Sequence, residues 1–280
     1  MESIKYWRDS THVNRAALTE NAGRYAALVS STSHSTRDEL LSLTGELIRG
    51  AEARGAPVRA LGGLGIALRA PEANPLLQRG FADVDLAAGK KSRRQVTEAM
   101  EEAGLEAEPE FNALQGSRRQ IWWTPDRATH VDVFLGEFAM CHRLELDGRL
   151  PPDHQALAAA DLLLMKLQVV ELNHKDVTDA AALLSTHRLE GHDGEGSINR
   201  ERIIDVLSGD WGFYTTATDN LEKVPDLVSA MDPELGRQVG ETAAQIRAEV
   251  EDAPKSRAFK LRARVGRRKR WYEIPDESIT

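Results

Sequence analysis

Ala82-Asp83-Val84-Asp85-Leu86 most narrows what this chain can fold into. It reads as a strand, because two acids alternate with apolar residues in an otherwise apolar run. Successive strand side chains point to opposite faces, so Asp83 and Asp85 share one face and Val84 and Leu86 the other. Two like charges on one face repel each other and contribute nothing to a core. A fold that keeps them must neutralise them, and a divalent cation is the obvious candidate.

Two neighbouring stretches extend this reading. Gly62-Gly63 ends the short apolar run Pro57–Leu61, and Leu64–Leu68 begins a helix beyond it. Glycines there would let backbone N–H groups approach phosphate, with a helix N-terminus facing the anion. Downstream, His130-Val131-Asp132-Val133-Phe134 places a third acid inside another strand. Asp83, Asp85 and Asp132 would thus supply three carboxylates to one site. Mg²⁺ prefers carboxylate, water and phosphate oxygens, and phosphoryl chemistry needs mainly positioning and charge neutralisation. Asp83 and Asp85 would hold the ion carrying the triphosphate. Asp132 would complete a second metal site and take the proton of an incoming hydroxyl.

The organisation around these strands is mixed. Thr36 and Glu39 form a capping-box pattern ahead of a helix reaching about Arg54. A helix over 92–103 follows the acidic strand. Strands over 118–124 and 129–135 are joined at Pro125-Asp126, and a short strand is expected over 144–150. From Asp153 the period becomes helical, over 153–172, 175–187, 198–207, 220–231 and 233–250, with no Val- or Ile-rich strand run. The expected fold class is therefore α+β: a mixed sheet with flanking helices, followed by a C-terminal helical region. The expected divisions are an N-terminal helical appendage at 1–35, a core at 36–150, a helical region at 151–253 and a basic tail at 254–280.

Composition excludes some classes. The chain of 280 residues is 41% hydrophobic and 29% charged, as a globular protein is. Its longest apolar runs, such as Leu162–Met165, are too short to span a bilayer. The first residues carry no apolar signal core, and Cys141 is the single cysteine. A cytoplasmic protein with no membrane contact is expected. The net charge of −8 is unevenly spread: Lys255–Trp271 holds nine Lys and Arg and no acid. Such a block either contacts nucleic acid or folds back on the acidic body.

Here the sequence resembles a known family. A Gly-Gly pair, then Asp-x-Asp in an apolar strand, then a later apolar-Asp-apolar strand is similar to the nucleotidyltransferase superfamily of the DNA polymerase β type. Within it, Arg79 before Asp83-Val84-Asp85, Lys166 on a helix, and Lys175-Asp176-x-x-Asp179 resemble the AbiEii-like branch. Its members include toxins of toxin–antitoxin pairs. The resemblance covers about residues 40–190. It implies metal binding by Asp83, Asp85 and Asp132, phosphate contact by Gly62 and Gly63, and a nucleotide-binding place for Arg79. It also implies that Lys166 and Lys175 neutralise an NTP, with Asp176 and Asp179 orienting them or the base-side pocket. It implies Mg²⁺ as cofactor, NMP transfer to a hydroxyl with pyrophosphate release, and an antitoxin or other protein as partner. A tRNA or other RNA acceptor would fit the 255–271 tail; a small molecule or protein is the other class. A degenerate, non-catalytic binder of nucleotide, nucleic acid or a partner protein is the alternative. One departure is Leu64-Gly65 after the glycine pair, where the family often has Ser, Thr or Ala, so a hydroxyl contact to phosphate is absent.

Other patterns carry less. The third glycine of G-x-G-x-x-G would fall on Leu68, so a dinucleotide fingerprint fails. His187, His192, Asp193 and Glu195 read as a solvated loop rather than a metal cluster. Cys141 reads as a small buried hydrophobe.

Overall fold

In a computed structural model, residues 35–274 are described; the helical appendage expected at 1–35 lies, but for its last residue, outside them. Helix α1 (Arg37–Glu52) starts at Thr36, whose side chain accepts from Glu39 N while the Glu39 carboxylate accepts from Thr36 N. This is the capping box read from the sequence. Strand β1 (Val58–Ala60) follows, then helix α2 (Gly62–Arg69) and strand β2 (Val84–Ala88). Helix α3 (Arg93–Glu102), strand β3 (Glu106–Ala107) and helix α4 (Pro109–Gln115) lead to the hairpin of β4 (Arg119–Trp123) and β5 (His130–Leu135).

These strands form one mixed sheet in the order β1-β2-β5-β4-β3. β2 and β5 are parallel, with Asp85 opposite Asp132; the other pairings are antiparallel. One face is apolar: Val84, Leu86, Val131 and Val133 pack with Leu40, Leu47 and Ile48 of α1 and Val96 and Met100 of α3. The strand period of two then forces Asp85 and Asp132 onto the opposite face. There α2 packs on α5 (Ala159–Leu167) and α6 (His174–Thr186). The mixed α+β class with flanking helices is thus the architecture found.

Some expectations need correction. The helix expected over 153–172 runs only over Ala159–Leu167. The residues before it are claimed by β1: Ala60 N donates to Gln155 O at 2.7 Å and Leu157 N to Ala60 O at 3.0 Å. Strands do occur in the second half, as the parallel pair β8 (Arg188–Glu190) and β9 (Ser197–Asn199), each too short to show a period. Pro109–Gln115, unassigned by period, is helical, with Pro109 at the first-turn position proline favours. A second hairpin joins β6 (Glu137–Ala139) to β7 (Arg143–Glu145).

The chain closes with α7 (Arg200–Gly209), α8 (Trp211–Ser229), α9 (Pro233–Asp252) and α10 (Arg257–Val265). The basic tail is therefore partly helical, and it does fold back. Aromatic side chains take part: Phe259 meets Tyr214 edge-on, Arg262 stands over Trp211, and Trp271 Nε1 donates to Thr216. Its one ion pair among the described residues is Arg267–Asp219 at 2.7 Å. Arg257, Lys260, Arg264 and Lys269 form none there. Among the described residues, no helix is long and apolar enough to cross a membrane.

Candidate active site

Gly62 is where the backbone requires glycine. Its φ is +61°, and a methyl group there would stand 2.1 Å from Asp85 Oδ2. A methyl on Gly63 would stand 2.2 Å from Arg79 Nη2 and 2.9 Å from Phe81 Cδ1. The pair is thus wedged between an acid of the sheet and a guanidinium of the preceding loop. It also opens α2, whose N-cap is Leu61 with no side chain bonded to the first-turn N–H groups. Those donors carry the positive end of the helix dipole, and Gly62 itself lies against Asp85. Gly62→Ala should lower stability by at least ~1–2 kcal/mol from the left-handed backbone alone, and displace Asp85. A urea unfolding curve checks this.

The acids are not equivalent. Asp132 is only 4% exposed and both its oxygens are occupied. Arg119 donates Nε to Oδ1 at 2.7 Å and Nη2 to Oδ2 at 2.8 Å, a forked pair. His130 Nε2 donates to the same Oδ2 at 2.9 Å, and His130 Nδ1 pairs with Asp83 Oδ1 at 2.8 Å. Using both ring nitrogens as donors requires the imidazolium, and the bonds to Asp132 and then Asp83 push the His130 pKa up to about 10. Burial works against the charge on Asp132, yet the bonds from His130 and Arg119 hold its carboxyl below the usual range. Asp83 lies just ahead of β2 with a half-exposed side chain.

Asp85 is the exception, with no side-chain hydrogen bond or ion pair among the described residues. Burial first, then the charges of Asp132 and Asp83, push its pKa from 3.8 up to about 7, against the opposing pull of Lys166 and His130.

A second network backs the site. Asp176 and Asp179 are three apart on α6 and share one face. Lys166, from α5, reaches Asp176 at 3.2 Å and Asp179 at 3.0 Å. Arg79 grips Asp179 through Nε at 2.9 Å and Nη2 at 2.7 Å. Burial disfavours the Lys166 ammonium, but Asp179 and Asp176 outweigh it and raise its pKa. Asp176 also caps α6, accepting from Asn173 N. Arg79 stands over the Phe81 ring at 5.0 Å. Lys175 is not drawn in: it is exposed at the start of α6 and forms no ion pair among the described residues.

Charge balance identifies what the site can accept. Arg119 and His130 are bonded to Asp132 and Asp83, and Arg79 and Lys166 to Asp179 and Asp176. Asp85 is left as the surplus negative charge, beside an open helix N-terminus. Asp85, with the unbonded oxygen of Asp83, suits one divalent ion that keeps water and phosphate as its other ligands. Among the described residues, no three metal-type side chains gather on one point. The residues present therefore fit one ion at Asp83 and Asp85, and do not fit a second at Asp132.

Sequence reasoning gave no role to Arg119 or His130. His130 was visible as the residue two before Asp132 on the same strand face. Arg119 follows from the hairpin register, which sets Ile121 opposite Asp132 and Arg119 opposite Phe134.

No family model matches the chain, and no curated protein matches it. Two solved structures are similar to it. One is the solution structure of the antibiotic-resistance factor ANT(2'')-Ia, at 12% identity over 51% of this chain and 80% of that one, TM-score 0.36. The other is the crystal structure of an antigenic nucleotidyltransferase-like protein from Paracoccidioides brasiliensis, at 13% identity over 80% and 97%, TM-score 0.41. Likeness of this degree assigns no chemistry to this chain.

Proposed function

We propose that this site transfers a nucleoside monophosphate from an NTP to an acceptor hydroxyl. The observation that carries the reading is Asp85, an unpaired carboxylate held against Gly62 at the uncapped start of α2. The hydroxyl oxygen attacks the α-phosphorus, the bond to the β-phosphate oxygen breaks, pyrophosphate leaves, and the hydroxyl proton ends in solvent. The N–H groups at Gly62 and Gly63 receive phosphate oxygens. Arg79 and Lys166, fixed by Asp179 and Asp176, hold positive charge behind them, and Lys175 is free to swing to the triphosphate. Bound Mg²⁺, held by Asp83 and Asp85, would supply further neutralisation of the phosphate oxygens.

RNA is the acceptor class that the basic segment favours, since Arg257, Lys260, Arg264 and Lys269 are left for another anion. The narrower AbiEii-like reading, with a partner protein, rests on the Arg79, Lys166 and Lys175–Asp179 resemblance alone. A specific observation supports a second reading, a nucleotide-binding protein without turnover: both oxygens of Asp132 are already held.

The test incubates the chain with Mg²⁺ and each α-labelled NTP, with RNA, protein or hydroxylated small molecules as acceptor. Label on one acceptor class, lost in Asp83→Ala, is expected. Nucleotide binding with no labelled acceptor favours the second reading. With RNA, changing Arg257, Lys260 and Arg264 together to Gln should lower the slope of log affinity against log salt by roughly 2–3, about 0.7–0.9 per lost phosphate contact. An unchanged slope removes the basic segment from the RNA interface.

A further inference from the structure

We infer that Arg119 stands in for a second divalent cation, so that the chain loads one such ion, at Asp83 and Asp85, and leaves Asp132 to the guanidinium. The inference rests on the nucleotidyl-transfer reading in taking Asp83 and Asp85 as the ion's ligands.

Arg119 meets Asp132 through two parallel bonds at 2.7 and 2.8 Å. A guanidinium does not lose its proton in a protein, so this positive charge is permanent. It is also fixed in place. Its backbone is in the sheet opposite Phe134, and its head lies 5.2 Å from the Phe134 ring centre and 5.5 Å from that of Phe111. Aromatic faces on a guanidinium hold it where it stands. His130 adds a second donor to the same carboxylate at 2.9 Å.

A divalent ion arriving at Asp132 would have to displace bonds from both groups and sit among their charges. Displacing Arg119 would strand a cation whose partner acid is almost wholly buried. Asp85 presents no such barrier, because no protein cation is bonded to it. Nη1 of Arg119 forms no hydrogen bond among the described residues, and the side chain is 32% exposed. That group is free to donate to an anionic oxygen, a task the second ion performs elsewhere. Arg119 thus fixes Asp132 and sets how many ions the site takes.

The test is Mn²⁺ titration of the full chain, following loss of the free-ion paramagnetic resonance signal, with melting curves to confirm folding. The wild-type chain should bind one Mn²⁺. Asp85→Asn should remove that site and Asp132→Asn should leave it. Arg119→Ala should gain a second site, while Arg119→Lys, which keeps the charge, should stay at one. The wild-type count needs no variant to fold. Two ions in the wild-type chain, loss of the ion in Asp132→Asn, or no gain in a folded Arg119→Ala would overturn the inference. Two ions together with labelled acceptor would leave nucleotidyl transfer standing and remove only the role of Arg119. No ion in the wild-type chain or Arg119→Ala, and no labelled acceptor, would remove both.

Discussion

Asp85→Asn should abolish nucleotidyl transfer and, in the same molecule, raise the melting temperature at pH 8. Asp85 is half-buried beside Asp132 and Asp83, and its pKa rises from 3.8 to about 7. The native chain therefore still holds a proton, between about pH 4 and pH 7, that the unfolded chain has released. Stability falls as pH rises across that window, and the loss is complete above about 7. At about 1.4 kcal/mol per tenfold change in proton affinity, the charged carboxylate costs the native state up to ~4 kcal/mol at pH 8. Asparagine removes the charge and nearly keeps the shape, so that loss disappears. Each recovered kcal/mol should raise the midpoint by roughly 2–4 °C in a chain of this size. Below about pH 4 the two proteins should melt together. Scanning calorimetry at pH 4 and pH 8 checks the sign. A lower midpoint for Asp85→Asn at pH 8 would mean that Asp85 is satisfied within the fold and has no place open for a ligand.

Lys166→Met should have the opposite effect on stability. The ammonium joins Asp176 and Asp179, which are 6% and 4% exposed. Methionine fills similar space but leaves Asp176 without a cation and Asp179 with Arg79 alone. Removing one member of a buried charge network costs roughly 3–5 kcal/mol. Urea unfolding of Lys166→Met should show a loss of that order. Adding Asp176→Asn should restore part of it, because the stranded charge is gone. Transfer should stay lost in the double variant, since the positive charge behind the phosphates is still missing. Recovery of transfer along with stability would make Lys166 a structural lysine only.

Much of this site was legible in the chain because its logic is local. Alternation in β2 and β5 put Asp85 and Asp132 on one face, and parallel pairing then set them side by side. Gly62-Gly63 was readable as a break, and the φ of +61° at Gly62 is the physical content of that break. Spacing on α6 brought Asp176 and Asp179 to one face. What could not be read depends on pairing across the chain. Whether Asp132 is an open ligand or an ion-pair partner is decided by Arg119, a diagonal neighbour on β4, and no periodicity reports a diagonal contact. Gln155 and Ala156 read as helix because nothing nearby reveals that the edge of β1 will claim their backbone. Lys175 sits in the same short motif as Asp176, yet one helical step of about 100° turns it to solvent. The basic tail read as charge, while Trp211, Phe259 and Trp271 decide how it packs.

The most direct test follows the label through the reaction. The wild-type chain is given Mg²⁺ and RNA with either α-labelled or γ-labelled NTP, beside Asp85→Asn. The expected result is α-label on the acceptor and γ-label released as pyrophosphate by the wild-type chain, with neither by Asp85→Asn. Transfer of the γ-label to the acceptor, or equal α-label transfer by Asp85→Asn, would contradict nucleotidyl transfer at this site.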